Sequence, residues 1–451
     1  MDLIAKPLNP NKHLKEEFVS NLTGSSMLEI AALSTIVPAL VVIRQWSSFG
    51  HAESKNWRIS LTTVAMDFIC VVLPVLLIFT VLADWVYIFA LLLLVLLLIC
   101  ILSRRSSASH FKEGSQFLSS IRVTILSYRV SVVVVTCLCI LAVDFRIFPR
   151  RYAKTETYGT GLMDLGVGSF VVANALVSRQ ARYAQPVSLK SAFRSVIPLV
   201  VLGFGRLIFT KGADYQVHVG EYGVHWNFFF TLAGVVMLAS MINIHPKYCG
   251  IFGLLILGGY QTCLRSGLSV YLLSNERALD IISQNKEGIF SIFGYWGMYL
   301  LGVNLGYSLF FGNVASAKYE NFQWTRLQVC TFSFLMWLLT LVLNNHVERV
   351  SRRMCNFAYV TLVLAQNFQV LSILMLSDFI PGRKPLELEA AFNQNLLGSF
   401  LLANILTGVV NLYVDTLSAS SIIALGILLG YAFALAAIVC IFWFSRVKLA
   451  L

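Results

Sequence analysis

Residues 85–102 read WVYIFALLLLVLLLICIL, eighteen consecutive positions without a single charge. As a helix rising about 1.5 Å per residue, such a run covers roughly 27 Å, close to the ~30 Å of a bilayer's hydrocarbon layer. Toward the amino terminus, a tight turn around Asp84 joins it to a second apolar run at 60–83. Two long apolar runs joined by so short a turn read as a hairpin across a membrane. Working outward in both directions, further runs of spanning length fall near 27–43, 121–143, 161–177, 193–209, 224–243, 249–273, 289–310, 327–344, 356–377, 393–413 and 417–445. The pattern predicts an all-α polytopic membrane protein of about thirteen transmembrane helices, one integral membrane domain over 1–451 with a polar segment at 1–24. The fifth run is the weakest, being Gly-rich and polar at Asp164 and Asn174, and it reads as a re-entrant or pocket-lining helix. No internal repeat of the inverted transporter kind is visible.

Composition agrees with this reading. Hydrophobic residues make up 57% of the chain and charged residues only 12%, against about 25% charged in a soluble domain. That excludes a nucleic-acid-binding factor, a disordered protein and a soluble enzyme with one anchor. The formal net charge of +12 resides in the loops, where it suits lipid headgroups or an acidic co-substrate. Nine cysteines, none spaced as CxxC, read as packing residues rather than as a disulfide framework or a metal site. The opening 24 residues lack a signal-peptide pattern, so the first span is expected to insert as an uncleaved anchor.

Alternating the loops between the two sides places 18 Lys and Arg on the side that includes the carboxyl-terminal tail and 13 on the other. The bias predicts a cytosolic carboxyl terminus, with the amino terminus and the 144–160 loop on the far, luminal side. A single sequon, Asn21-Leu22-Thr23, falls on that far side, too close to the first span for ready glycosylation.

An ionisable group at the centre of a span costs about 2.5–3.5 kcal/mol on insertion scales, so Glu29, Asp67, Arg129, Asp164, Arg206 and Arg265 need a reason. They either line a polar cavity or form ion pairs within the bundle. The densest chemistry is Asp144-Phe-Arg146-Ile-Phe-Pro149-Arg150-Arg151-Tyr152-Ala-Lys154-Thr155-Glu156-Thr157-Tyr158, followed by Gly161-Leu162-Met-Asp164-Leu-Gly166-Val-Gly168-Ser169. A partly dry carboxylate at the end of a span, close to cations, is a candidate general base. A neighbouring Lys or Arg can hold a phosphate or stabilise an oxyanion.

The run DFRIFPRRYAKTETYGTGLMDLGVGSF, together with KEEFVSNLTGSSMLEI at 15–30, closely resembles the glycosylphosphatidylinositol (GPI) inositol acyltransferases, the class W proteins of animals and the wall-transfer proteins of fungi. Span number and spacing match that family along essentially the whole chain. The resemblance implies an endoplasmic-reticulum enzyme that transfers a fatty acyl group, usually palmitoyl, from acyl-coenzyme A to inositol in glucosaminyl-phosphatidylinositol, with no metal. Under that reading Asp144 is the general base on the inositol 2-hydroxyl, and Lys154, carried over from the matching motif, orients the pair or stabilises the tetrahedral intermediate. Arg150 and Arg151 suit the lipid phosphate, because a guanidinium fork binds phosphate bidentately. Asp164 and Ser169 are candidates to line the same cavity. The segment from Asn21 to Ser26, with Glu29 beyond it, reads as an N-cap bordering the substrate.

Acyl-coenzyme A is made in the cytosol, and Arg179, Arg182 and Lys190 in one cytosolic loop are candidates to attract its phosphates, beside their ordinary role as topology signals. Two alternatives remain open from the residues alone. One is a multispan lipid transporter or flippase. The other is an acyltransferase of the membrane-bound O-acyltransferase kind, which uses a His within the membrane, and His346 is the nearest candidate.

Overall fold

The computed structural model describes residues 12–47, 57–104, 115–183, 189–212, 219–242, 244–311, 322–380 and 383–448. These residues are helices joined by turns, and no strand occurs among them beyond one isolated bridge. Among the described residues, ten helices are long and apolar enough to cross a membrane. The three remaining apolar runs are helical as well but depart from the ten in a physical way. The fifth and seventh runs form the shorter helices Leu162–Leu176 and Phe228–Met241. The eighth is Pro246–Cys263 continued through a wide turn at Leu264–Leu268 to Ser269–Leu273, where Gly267 takes a φ of +118° and interrupts the regular ladder. The count of about thirteen therefore resolves into ten full-length spans and three apolar helices that are short or broken.

The helices group into two compact units, each built from separate stretches of chain. The first comprises 1–24, 153–317 and 336–364, and the second 25–152, 318–335 and 365–451. Where the sequence suggested one domain, the loop at 144–160 is divided between the two units after Tyr152.

In the first unit, Pro246–Cys263 packs on Lys286–Gly306, which also meets Leu165–Leu176 and Phe228–Met241. The closest of these contacts relies on small residues: a Cβ on Gly297 would lie 2.6 Å from the Leu257 side chain. Small residues let helix backbones approach in lipid, where apolar burial gives little drive for association. The linker between Phe322–His346 and Phe357–Leu374 carries two adjacent arginines that point to different acids. Arg353 Nη2 donates to Glu287 Oε1 at 2.8 Å, and Arg277 Nη2 reaches the same oxygen at 2.6 Å. Arg352 turns instead to Asp164 and Glu221.

In the second unit, Met27–Ser47 packs on Val86–Arg104, and Ser115–Ala142 packs on Leu396–Tyr413. Pro38 interrupts the ladder of the first of these helices. Thr35 Oγ1 donates back to Ala31 O, and Gln369 Nε2 donates to the same carbonyl at 2.8 Å. The intramembrane acid Asp67 is fully buried and pairs with Arg44 at 2.9 Å. Arg206 and Arg265, which belong to the first unit, are exposed. All nine cysteines are free thiols.

Candidate active site

The loop that begins the charged motif grows directly from the end of Ser115–Ala142. The last carbonyls of a helix lack intrahelical donors and attract cations. Arg150 fills that role: its Nη2 donates to Val143 O at 2.7 Å, Phe148 O at 3.1 Å and Phe145 O at 3.3 Å. Phe145 and Phe148 are fully buried beneath this clasp. Between them the turn presents Asp144, only 4% exposed, whose Oδ2 accepts from Asn411 Nδ2 at 2.7 Å. Arg151 faces another way. Its Nε donates to Glu29 Oε1 at 2.9 Å and its Nη2 to Asp84 Oδ1 at 2.7 Å, while its side chain keeps 37% of its surface exposed. The Tyr152 hydroxyl donates to the same Glu29 oxygen at 2.8 Å. Ser26 Oγ accepts from Glu29 N at 3.1 Å, so the serine caps this helix as its sequence position suggested. The two adjacent arginines thus have different roles: Arg150 closes a turn, and Arg151 bridges two acids.

In the first unit the rest of the motif folds around one buried carboxylate. Asp164 Oδ2 accepts from Gly161 N at 2.8 Å and from Thr155 Oγ1 at 2.9 Å, while Thr155 N donates to Oδ1 at 3.1 Å. These bonds curl 155–164 into a compact loop at the entrance to Leu165–Leu176. Arg352 Nε donates to Asp164 Oδ1 at 2.8 Å, and Arg352 Nη1 to Glu221 Oε1 at 3.1 Å. Lys154 Nζ donates to that same glutamate oxygen at 2.7 Å. The result is a chain of alternating charge, Lys154, Glu221, Arg352 and Asp164. The Tyr359 hydroxyl closes it from below by donating to Asp164 O at 2.7 Å.

Electrostatics follow from the order of charges in that chain. Burial alone pushes the Glu221 carboxyl up, but Lys154 and Arg352 outweigh it and hold it down to about 2. Burial pushes the Lys154 ammonium below its ordinary range; Glu221 opposes this, while the like charge of Arg352 adds to it. Glu221 takes one of the three N–H bonds of Lys154, and the side chain remains 37% exposed. The arrangement is a cation held on one carboxylate, of a kind suited to meeting a developing negative charge.

The amino-terminal segment joins this loop. Asn21 N donates to Glu156 Oε2 at 2.5 Å, Glu156 N donates to Leu22 O, and Gly24 bridges Thr160. Gly24 and Gly159 hold φ angles of +82° and +130°, and a Cβ on either would lie within 2.4 Å of a carbonyl oxygen of the other segment. Gly159 N donates to Val350 O at 2.8 Å and Ser351 Oγ to Thr157 O at 2.5 Å, so the 348–353 linker forms the third side.

Among the residues singled out from sequence, the structure joins Lys154 to Asp164 through Glu221 and Arg352, Arg151 to Glu29, and Asn21 to Glu156. Ser169 is buried on Leu165–Leu176. Arg182 stacks over the Phe311 ring at 5.7 Å, while Arg179 and Lys190 are exposed. His346 is exposed at the last position of its helix. Glu221, Arg352 and Asn411 were missed. The first two lie in short linkers where a charge reads as a topology flank, and a single Asn near the end of an apolar run carries no marked signal. Among the described residues no group of three or more His, Cys, Asp or Glu side chains is placed to hold a metal ion.

These features define a multispan membrane protein with an elaborately hydrogen-bonded, charge-alternating loop at the ends of its helices. A family model described as GWT1 matches residues 11–442, and the chain belongs to that family. It is 55% identical over 396 residues to an uncharacterized protein of Arabidopsis thaliana, covering 88% of this chain and 90% of that one. It is 32% identical to the phosphatidylinositol-glycan biosynthesis class W protein of Dictyostelium discoideum, covering 97% and 98% of the two chains. A GPI-anchored wall transfer protein 1 of Aspergillus oryzae is 36% identical, with 98% and 99% covered. Membership confirms the resemblance carried by the two motifs, and the chain is an inositol acyltransferase of GPI-anchor biosynthesis.

Proposed function

We propose that this enzyme transfers a fatty acyl group, palmitoyl, from acyl-coenzyme A to the 2-hydroxyl of inositol in glucosaminyl-phosphatidylinositol, at the luminal side of the endoplasmic reticulum membrane. Asp144 removes the hydroxyl proton as the oxygen attacks the thioester carbonyl. The carbon–oxygen ester bond forms, the carbon–sulfur bond breaks, and the proton passes on to the departing coenzyme A thiolate. Lys154 meets the oxyanion of the tetrahedral intermediate. The observation that carries this reading is Lys154, its side chain 37% exposed and its ammonium held by Glu221, which Arg352 ties in turn to Asp164. Of the two adjacent arginines, Arg151 retains exposed surface for the lipid phosphate, while Arg150 serves the turn that carries Asp144. The exposed Arg179 and Lys190, with Arg182, attract the phosphates of coenzyme A from the cytosol. The amino terminus is luminal and the carboxyl terminus cytosolic, following the basic-residue bias.

The test uses purified protein in detergent with labelled palmitoyl-coenzyme A and glucosaminyl-phosphatidylinositol. A positioned general base contributes about 10²–10⁴-fold. Asp144→Asn is therefore expected to lose activity on that scale at normal expression, and Lys154→Met to lose kcat more than KM. Parental rates in Asp144→Asn would overturn the assignment of the base.

A further inference from the structure

The turn between Ser269–Leu273 and Lys286–Gly306, in the first unit, is braced from within by ions. Lys286 is fully buried. Its Nζ donates to Tyr271 O at 2.7 Å, Ser274 Oγ at 2.8 Å, Ser274 O at 2.9 Å and Glu276 O at 3.0 Å. Arg277 Nη2 donates to the fully buried Glu287 at 2.6 Å, and Arg277 Nη1 to Gln284 O at 3.1 Å. Ala278 N donates to Ser283 Oγ and Ser283 N to Asp280 Oδ2, both at 2.8 Å. Burying such charges is costly unless every one is met, so this turn is held in one shape at some expense.

What that scaffold presents outward is apolar. Leu279 is 99% exposed, Ile281 78% and Ile282 55%. A loop bathed in water keeps its charges outside, whereas here Lys286, Glu287 and Arg277 are taken up inside and three large aliphatic side chains stand out. Such a patch, rimmed by the exposed Glu276 and Asp280, marks an interaction surface.

Its depth identifies what covers it. The helical run 246–273 rises roughly 40 Å, more than the ~30 Å of hydrocarbon, so the turn beyond it lies at headgroup level. Tyr271 at the end of that run is exposed, with its ring 4.6 Å from Lys286 Nζ, and Tyr is the residue of membrane–water interfaces. The preceding Val270 is exposed as well, and the Lys286 bonds tie Tyr271 to Glu276, so the turn begins where the bare surface of the helix ends. The acidic rim does not favour an anionic surface, which leaves the acyl-chain boundary of neutral phospholipid.

We infer that Leu279, Ile281 and Ile282 are an interfacial anchor, inserted where headgroups meet acyl chains in the leaflet on the Lys154 side. The anchor is joined to the charged loop. Val224 N donates to Gln284 O at 3.0 Å and His225 N to Asn285 Oδ1 at 2.8 Å, two to four residues beyond the Glu221 that holds Lys154. The depth of that cation against the leaflet is thereby fixed. The inference does not depend on the catalytic roles given to Asp144 and Lys154.

The experiment places Leu279→Trp in the full chain, in phosphatidylcholine nanodiscs, and reads the added tryptophan emission as the difference from the parent. An interfacial helix or loop enters only ~5–10 Å into the leaflet. Lipids brominated near the headgroup end of the acyl chain are therefore expected to quench the added emission more than lipids brominated near its tip, and aqueous iodide to quench it little. Ile281→Trp is read in the same way should Leu279→Trp fail to accumulate. Strong iodide quenching with no effect of bromine would place the turn in water and overturn the inference. Shielding from both quenchers would assign the patch to a protein partner or a second copy of this chain, and stronger quenching from the deep bromines would place it inside a span; either result overturns it too.

Discussion

Replacing Arg352 with Met tests whether the alternating charges of the first unit act as one structure. Arg352 is 4% exposed and donates to two carboxylates, Asp164 at 2.8 Å and Glu221 at 3.1 Å. Hydrogen bonds to charged groups contribute about 1.5–3 kcal/mol each, so losing both would cost roughly 3–6 kcal/mol if nothing else changed. The acids are not abandoned, however. Asp164 keeps Thr155 N, Thr155 Oγ1 and Gly161 N, and Glu221 keeps Lys154. The Met side chain also refills much of the volume. We therefore expect a loss of about 3 kcal/mol, the lower end of the range for breaking a buried pair. At roughly 2 °C per kcal/mol for a larger domain, melting in detergent should fall by roughly 6 °C. The decisive comparison is the double variant Arg352→Met with Asp164→Asn. Because removing the second charge relieves the first deletion, the double loss should be smaller than the sum of the two single losses by about 1 kcal/mol or more. Additive losses, or a single-variant shift under about 1 °C, would refute the view that these groups form a coupled chain.

Further expectations concern the same loop and its neighbours. Glu221 is held near 2 when folded, against ~4.3 in an unfolded chain, so its contribution is complete above about pH 5 and is lost as pH falls toward 2. Glu221→Gln should flatten the decline in melting temperature between about pH 5 and 3, and an unchanged slope would contradict the assigned pairing. Ala at Gly24 or Gly159 should destabilise the seam between the amino-terminal segment and the 155–160 loop by about 1–3 kcal/mol, seen as faster limited proteolysis near residue 20. Glu29→Ala removes the acceptor of both Arg151 Nε and the Tyr152 hydroxyl and should cost roughly 2 kcal/mol, whereas Tyr152→Phe removes one neutral donor and should cost about 1 kcal/mol. Paired melting curves of the two variants check that order.

The spans were readable because each rests on local composition. A run such as 85–102 can do little else in water or lipid, and every one of the thirteen apolar runs is helical in the fold. Their completeness was less readable: Gly267 breaks one helix by its backbone conformation, and hydropathy averages over such a point. Among the candidate residues, Asp144, Lys154 and Asp164 stood out because charge is rare and the motif is dense. Their partners did not. Arg352 lies 188 positions from Asp164, in a linker where an arginine also serves as an ordinary flank, and nothing local distinguishes it from Arg349 three residues earlier. Asn411 is likewise one amide in an apolar helix. Partnership between residues distant in sequence is a property of the folded bundle, which no window along one chain contains.

That separation along the chain also sets a clock. Asp164 and Glu221 leave the ribosome 188 and 131 residues before the arginine that bridges them. At about 5–20 residues per second of synthesis, Asp164 waits roughly 10–40 s for Arg352, held meanwhile by Thr155 and Gly161 alone. The Gly159 and Thr157 contacts with Val350 and Ser351 wait as long. The loop is therefore completed late, after most spans have been made, and a chain stalled or truncated before residue 352 carries an unfinished acidic pocket that quality-control factors can read as immature.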